Sequence, residues 1–184
     1  MAQDTLFKSI YAAQWAAKFY KGRSHSMRQL SAVAGKVTAQ PGTSLAEVIA
    51  AWVYRPCEDQ VRDATDQACL IADIEEIYGE EVSHILRSLV VPPKGTSEQT
   101  RHVFKESRPE AKRIRIAEVL VGLEASFIMM YGGAMAKVDD VRNILSFSRF
   151  VYENSREIDR EIRQELLSLM VGVENMWNAI MSTM

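Results

Sequence analysis

Cysteine, histidine and proline are scarce in this chain of 184 residues, which has two cysteines, three histidines and five prolines. The spacing of Cys57 and Cys69 fits no zinc motif. A chain with 47% hydrophobic residues has enough apolar surface to form a core without a disulfide scaffold. We therefore expect two reduced, partly buried thiols in a cytoplasmic protein.

The chain also lacks an excess of charge and a long apolar run. Its formal net charge is -2, so no global field favours nucleic acid or a membrane surface. The longest apolar stretch, 119–135, is interrupted by Glu124 and by glycines, and it is shorter than a bilayer span. The first residues have no basic region followed by an apolar one, so no signal peptide is expected. We predict no nucleic-acid partner and no membrane span.

Common catalytic motifs are missing as well. His25, His84 and His102 are far apart in the chain, and no His-Asp dipeptide occurs. The chain has no phosphate-binding Gly-rich loop, no nucleophile elbow and no His-Glu-x-x-His pair. His84 falls in an apolar-striped segment, which favours a packing or surface role. Motifs of this kind therefore give no indication of an enzyme.

Helical spacing dominates what is present. In the first segment, apolar residues recur three or four apart, as in a helix with one buried face; they are Leu6, Ile10, Ala13, Ala17 and Tyr20. No strand-like alternation and no internal repeat occurs. The sequence predicts an all-α protein, with residues 1–184 forming a single multi-helix domain.

Capping and turn residues divide the chain into helices. Ser44 and Glu47 form a capping box, and Pro56 is expected to end the helix that follows near Tyr54. The polar segment 94–107 is predicted to be a surface excursion, and Ser107 to cap a helix with Pro109 in its first turn. The predicted helices cover residues 6–20, 27–37, 45–54, a segment that ends at 78, and then 80–89, 110–131, 134–145 and 156–182.

Two clusters of acidic residues are candidates for a catalytic or metal-binding role. The first follows the third helix and contains Glu58, Asp59, Asp63 and Asp66. The second is Asp139 with Asp140, near Lys137 and Arg142. Either cluster has a simple structural interpretation, as helix-capping carboxylates or as a solvent-facing pair offset by neighbouring bases.

The order of these segments resembles RelA/SpoT-type alarmone hydrolases of the HD superfamily. Residues 51–60 are similar to the apolar helix that ends in His-Asp and is followed by Glu-Asp. Residues 136–144 resemble the family's Lys-Leu-Ala-Asp-Arg-Leu-x-Asn-Leu helix, with Asp139 and Asn143 in register. The other similar segments are 16–23, which resembles Ala-x-x-x-His-x-Gly-Gln, 29–34, which resembles His-Pro-x-x-Val-Ala, and 74–82. The resemblance covers about residues 10 to 150 and implies an HD-domain-like helical bundle.

The resemblance also implies a metal site, and most of its ligands are replaced here. The family holds a metal, usually manganese, with His, His-Asp and a distant Asp, and the metal polarises a water for attack on a phosphate ester. This chain offers Gln29 for the first His, the pair Tyr54 and Arg55 for His-Asp, and Asp139 for the last carboxylate. A guanidinium places a cation at a metal-ligand position. We expect no bound metal and no cofactor.

The resemblance leads to three functional hypotheses. The leading one is a non-catalytic protein that binds a nucleotide or a protein partner, with Glu58 and Asp59 as vestiges of the catalytic pair. Its predicted ligand-binding residues are Arg23, Gln29, Tyr54, Arg55, Asp139, Arg142 and Asn143. The second is a divergent phosphohydrolase that holds magnesium or manganese with Glu58, Asp59, Asp63 and Asp139. The third is a regulatory helical module that forms a homodimer through its methionine-rich C-terminal helix.

Overall fold

The computed structural model describes residues 2–132 and 138–183, and within these ranges the backbone forms nine α-helices and no strand. This confirms the prediction of an all-α fold. The helices are α1 (Ala2–Phe19), α2 (Ser24–Ala39), α3 (Leu45–Asp59), α4 (Ala64–Tyr78), α5 (Glu80–Leu89), α6 (Ser97–Glu106), α7 (Pro109–Tyr131), α8 (Val138–Glu153) and α9 (Arg160–Ser182).

The chain divides into two compact units, Met1–Arg115 and Ile116–Met184. Helix α7 begins in the first unit and continues into the second. That residues 1–184 form one domain stays a prediction. In the part of the chain that the structure describes, no helix combines the length and the apolar character needed to cross a bilayer.

Helix α3 is the centre of the first unit, where α1, α2, α4 and α5 all pack against it. The predicted capping box is present, because the Ser44 hydroxyl accepts a hydrogen bond from the Glu47 amide and the Glu47 carboxylate accepts one from the Ser44 amide. The expected end near Tyr54 is wrong, since α3 continues through Pro56 to Asp59. Tertiary packing of this buried helix outweighs the backbone hydrogen bond that proline cannot donate. The extension places Glu58 and Asp59 in the last turn of α3.

Helix α1 packs with a different face from the one that the sequence predicts. Ala12 and Ala16 are fully buried, whereas Ile10 is 43% exposed and Ala17 is exposed. Small side chains let α1 approach α3 closely, and hydrophobicity alone does not encode that choice. Of the predicted buried stripe, Ile10 and Ala17 are wrong, Ala13 is half-buried and Tyr20 is confirmed as buried. The side chain of Leu6 lies outside the described residues.

The polar segment 94–107 is mostly exposed, as predicted, and it contains a helix, α6, that the sequence analysis does not predict. The Thr96 hydroxyl accepts from the Gln99 amide, and the Gln99 side chain accepts in return from the Thr96 amide. Phe104 is buried and anchors the helix. Ser107 does not cap α7, since its hydroxyl donates to the carbonyl oxygens of Ser88 and Val103. Pro109 opens α7 as predicted.

The second unit contains the rest of α7 together with α8 and α9, which pack against each other. Helix α8 runs to Glu153, well beyond the predicted end at residue 145, and α9 begins at Arg160 rather than at 156. The Asp159 carboxylate caps α9 by accepting from the Glu161 amide. The predicted helical residues 134–137 lie outside the described residues.

Candidate functional site

The first unit brings together three of the positions that resemble metal ligands. Gln29 on α2 and the adjacent Tyr54 and Arg55 on α3 line one small cavity, together with Tyr20 and Asp59. The cavity has a volume of about 30 Å³, which is room for a water molecule or two. The resemblance therefore identified residues that lie close together in space, although Gln29 and Arg55 are 26 positions apart in sequence.

Tyr54 stands where the family has histidine, and its ring lies between cationic neighbours. The side chain is 1% exposed. The guanidinium carbon of Arg55 lies 5.8 Å from the ring centroid, and that of Arg115 lies 5.6 Å from it. Both distances are within the range of cation–π attraction. The ring thus provides an electron-rich surface for two guanidinium groups.

Arg55 stands where the family has aspartate, and its guanidinium lies beside two carboxylates. Its Nη1 is 3.8 Å from Glu58 Oε2 and 3.7 Å from Asp59 Oδ1. A guanidinium has no lone pair to offer a metal and does not lose its proton at accessible pH. The replacement therefore reverses the charge at this ligand position.

Glu58 is held by buried groups in the same unit. Its Oε1 lies 2.7 Å from Arg115 Nη2 and accepts a 3.0 Å hydrogen bond from the Val91 amide. Arg115 Nη2 also donates to the Leu89 carbonyl oxygen at 2.9 Å, and its side chain is 7% exposed. The buried Gln67 amide donates to the carbonyl oxygens of Cys57 and Val91. These contacts fix the end of α5 against the last turn of α3.

Asp59 is the more exposed carboxylate of the pair, at 43%, and it lies near Tyr20. The Tyr20 hydroxyl donates to Asp59 Oδ2 at 3.3 Å. Burial raises the pKa of Tyr20 well above its usual value, and the negative charge of Asp59 raises it further, whereas Arg55 acts in the opposite direction. Tyr20 therefore stays a neutral donor that satisfies one oxygen of Asp59.

The residues at these positions do not fit the manganese site that the resemblance implies. Gln29, Tyr54 and Arg55 replace two imidazoles and a carboxylate, and one of them is a cation. Within residues 2–132 and 138–183, no three His, Cys, Asp or Glu side chains form a group that could hold a metal ion. His25, His84 and His102 are all exposed, and His84 Nε2 lies 3.3 Å from Glu80 Oε1.

The remaining predicted residues are exposed or take part in helix capping. Arg23 precedes α2 and is exposed, and it is not among the residues that line the cavity. Asp139, Arg142 and Asn143 lie in the first two turns of α8, in the second unit, and all three are exposed. Asp63 caps α4 by accepting from the amides of Thr65 and Asp66.

Sequence reasoning missed two members of the site. Tyr20 occupies the histidine position of the 16–23 segment, so that segment already carried a signal for it. Arg115 had no such signal, because it lies 57 residues from Glu58 in a segment with no similarity to a motif. Its role follows from the path of α7 past the end of α3.

The fold has a solved counterpart. The chain is similar in structure to a metazoan ortholog of SpoT that hydrolyses ppGpp and plays a role in starvation responses, with a TM-score of 0.69 and 16% sequence identity. The similarity covers 88% of this chain and 93% of the other. No protein-family model and no curated protein matches the sequence. The structural likeness confirms the HD-hydrolase fold that the sequence resemblance implies.

Proposed function

We propose that this chain is a non-catalytic relative of HD-type alarmone hydrolases and that it acts by binding a protein partner. One observation carries the proposal: the guanidinium of Arg55 occupies a ligand position and lies against Glu58 and Asp59. A divalent cation at that position would have to approach a fixed positive charge, which costs free energy. Without a metal, the carboxylates have no bound water to activate.

The contacts that the Glu58 and Asp63 carboxylates make within the fold support the same conclusion. Glu58 forms a buried ion pair with Arg115, and Asp63 caps α4. The alternative hydrolase requires these two side chains, with Asp59 and Asp139, as ligands for magnesium or manganese. Releasing Glu58 for that role would leave Arg115 without the buried counter-ion described above. The alternative therefore has a structural cost that the binding role does not have.

The size of the cavity favours a protein partner over a nucleotide at this position. Its volume of about 30 Å³ is far below the several hundred cubic ångströms that enclose a ligand of nucleotide size. Nucleotide recognition by the exposed Arg23, Arg142 and Asn143 remains the second form of the binding hypothesis, because arginine matches phosphate geometry.

The described residues give the homodimer hypothesis less support than they give the binding hypothesis. Of the methionines of α9, Met170 is buried and Met181 is 41% exposed. Met184 lies outside the described residues. A dimer through this helix stays a prediction, and light scattering of the purified protein tests it.

The proposed function is tested by measuring phosphate release and metal content together. Purified protein is incubated with ppGpp and with guanosine and adenosine nucleotides, with and without manganese or magnesium, and its metal content is determined by mass spectrometry. We expect no turnover and no stoichiometric metal. Manganese-dependent release of pyrophosphate or phosphate would refute the non-catalytic role.

Calorimetry with the same nucleotides separates the two forms of binding. Heat of binding at millimolar or lower concentration, lost in Arg23→Ala or Arg142→Ala, would show that the ligand is a nucleotide rather than a protein. Lys21→Ala is a suitable control, because Lys21 is an exposed cation near Arg23.

A further inference from the structure

Helix α6 packs against α5 and buries little of its own surface. Of its ten residues, all of which the structure describes, Phe104 alone is buried and six are exposed. Helices shorter than about 12–15 residues are marginally stable by themselves in water, so α6 depends on its docking against the rest of the first unit. The buried ring of Phe104 is therefore its main anchor.

Hydrogen bonds with Ser88 fasten the C-terminal end of α6 to α5. The Ser107 hydroxyl donates to the Ser88 carbonyl oxygen, and the Arg108 amide donates to the Ser88 hydroxyl oxygen. Ser88 and Ser107 are half-buried and Arg108 is exposed. Water can replace hydrogen bonds at such positions, so their loss costs little free energy when this end of α6 detaches.

The turn that leads into α6 is strained. The Gly95 amide donates to the Pro92 carbonyl oxygen at 2.9 Å, with Pro93 and Lys94 between them. Proline at the second position and a positive φ at the third are typical of a type II turn, which usually has glycine third. Lys94 has a φ of 62°, and among the described residues it is the one non-glycine residue with positive φ. A side chain disfavours this conformation, so the closed turn stores free energy that opening releases.

The same turn packs against the residue that holds Glu58. A Cβ atom on Gly95 would lie 2.5 Å from Val91 Cγ1, so the turn contacts the buried Val91 side chain directly. The Val91 amide donates to Glu58 Oε1 at 3.0 Å, and the Val91 carbonyl oxygen accepts from the Gln67 side chain at 2.9 Å. Docking of the turn therefore helps to keep the Val91 amide on the Glu58 carboxylate.

We infer that α6 and the turn 92–96 form a flap that opens by local unfolding while α3 stays folded, and that opening releases the Val91 amide from Glu58. Proteins open locally in cooperative units, and such units have few buried side chains and hydrogen bonds near solvent. The flap has both properties, and its strained turn lowers the cost of opening. Opening uncovers the site of Phe104, so a partner that binds one of the two forms shifts the equilibrium between them. The inference concerns the fold of the first unit and does not depend on the proposed binding role.

Amide hydrogen exchange of the full chain, followed by NMR at increasing low concentrations of urea, tests the inference. We expect the amides of α6 and the amide of Val91 to exchange through one opening. Their dependence on urea should be small and shared, because this opening exposes little surface. The amides of residues 49–54 in α3 should exchange at least about tenfold more slowly and with a larger dependence on urea, because they require global unfolding.

Phe104→Ala and Val33→Ala separate the flap from the core. Loss of the Phe104 ring should speed exchange at Val91 and in α6 about a hundredfold, or to the rate of an unprotected amide. Val33 is fully buried in α2, which packs against α3. Val33→Ala should speed exchange in α3 about tenfold or more and leave Val91 and α6 unchanged, because Val33 is packed alike in the open and closed forms.

Lys94→Gly provides a test by stabilisation, which does not require a destabilised variant to fold. Glycine adopts a positive φ without a steric penalty, although it loses more entropy on folding than lysine does. Exchange at Val91 and in α6 should therefore slow about three- to fivefold. Lys94→Ala is the matched control, since it removes the same side chain and keeps a Cβ atom, and it should not slow exchange.

Three results would overturn the inference. Exchange in α6 with the rate and urea dependence of α3 would mean that the helix opens only when the whole unit unfolds. A Val91 amide that keeps its exchange rate in Phe104→Ala would mean that the flap does not hold the contact with Glu58. Slowing by Lys94→Ala equal to that by Lys94→Gly would mean that backbone strain plays no part in the opening.

Discussion

Removal of Arg115 should destabilise the protein strongly, because Arg115 is the buried partner of the Glu58 carboxylate. Arg115 and Glu58 form an ion pair of 2.7 Å, with side chains that are 7% and 11% exposed. The same guanidinium donates to the Leu89 carbonyl oxygen. Arg115→Met keeps an unbranched side chain of similar helix propensity and removes the charge. The carboxylate of Glu58 then loses its nearest buried cation.

The size of the effect follows from the cost of a buried charge. Breaking a buried ion pair from one side costs about 3–5 kcal/mol. Arg55 stays 3.8 Å from the other oxygen of Glu58, so we expect a value near the lower end, about 3 kcal/mol. For a chain of this length, about 3 kcal/mol lowers the melting temperature by roughly 6–12 °C. That is a large part of a typical total stability of about 5–15 kcal/mol.

Urea denaturation followed by circular dichroism at neutral pH measures the loss. Arg149→Met is the matched control, because Arg149 pairs with Glu174 at 3.0 Å while both side chains are largely exposed, at 55% and 41%. Its expected cost is below about 1 kcal/mol. Adding Glu58→Gln to Arg115→Met should restore part of the stability, because a neutral amide costs less to bury than a carboxylate.

Two results would refute this reasoning. One is an Arg115→Met cost no greater than that of the Arg149→Met control, which would mean that solvent or Arg55 compensates the charge of Glu58 fully. The other is a double variant less stable than Arg115→Met alone, which would mean that the charge of Glu58 stabilises the fold even without Arg115.

Four further predictions follow from the structure. In the native protein at about pH 8, a thiol reagent should modify the exposed Cys69 and spare the buried Cys57 until the chain is denatured, since only an accessible thiolate reacts. Burial, with a contribution from Glu58, raises the pKa of Cys57 from 9.0 to about 12. The unfolded chain therefore loses this proton at a lower pH than the folded one, and stability that is present below pH 9 should be lost between pH 9 and 12. In urea denaturation at alkaline pH, the unfolding free energy of Cys57→Ala should fall less over this range. Ser44→Ala should cost about 0.5–2 kcal/mol by removing the cap of α3, as measured by denaturation; an unchanged midpoint would contradict this. Arg55→Asp should destabilise the protein more than Arg55→Gln, because a third carboxylate then faces Glu58 and Asp59. If added salt does not reduce the difference in unfolding free energy between the two variants, charge repulsion is not its cause.

Local signals were enough to predict several elements of the fold. The capping box of Ser44 and Glu47 gave the start of α3, and Gly79 marked the junction between α4 and α5, where its positive φ of 96° suits glycine. These features depend on residues three or four apart, so the sequence contains the whole interaction. The resemblance pointed to Gln29, Tyr54 and Arg55, and in the structure these three residues line one cavity.

Other features depended on neighbours that are distant in the chain. Pro56 lies inside α3 because the packing around that helix outweighs one lost hydrogen bond. The polar segment before Ser107 forms α6, where buried Phe104 anchors a helix that composition alone does not favour. Glu58 and Arg115 are 57 residues apart, so no local sequence pattern predicts that they form an ion pair.

The scarcity of histidine and the absence of a His-Asp pair were enough, from the sequence alone, to argue against the metal chemistry of the family that the chain resembles. Helical spacing was enough to predict an all-α fold, since that periodicity is a property of the chain itself. Tertiary structure decided which face of α1 is buried, because α1 packs against α3 with Ala12 and Ala16 buried and Tyr11 exposed. Both faces of that helix are apolar, so the choice between them depends on the shape of the surface they meet.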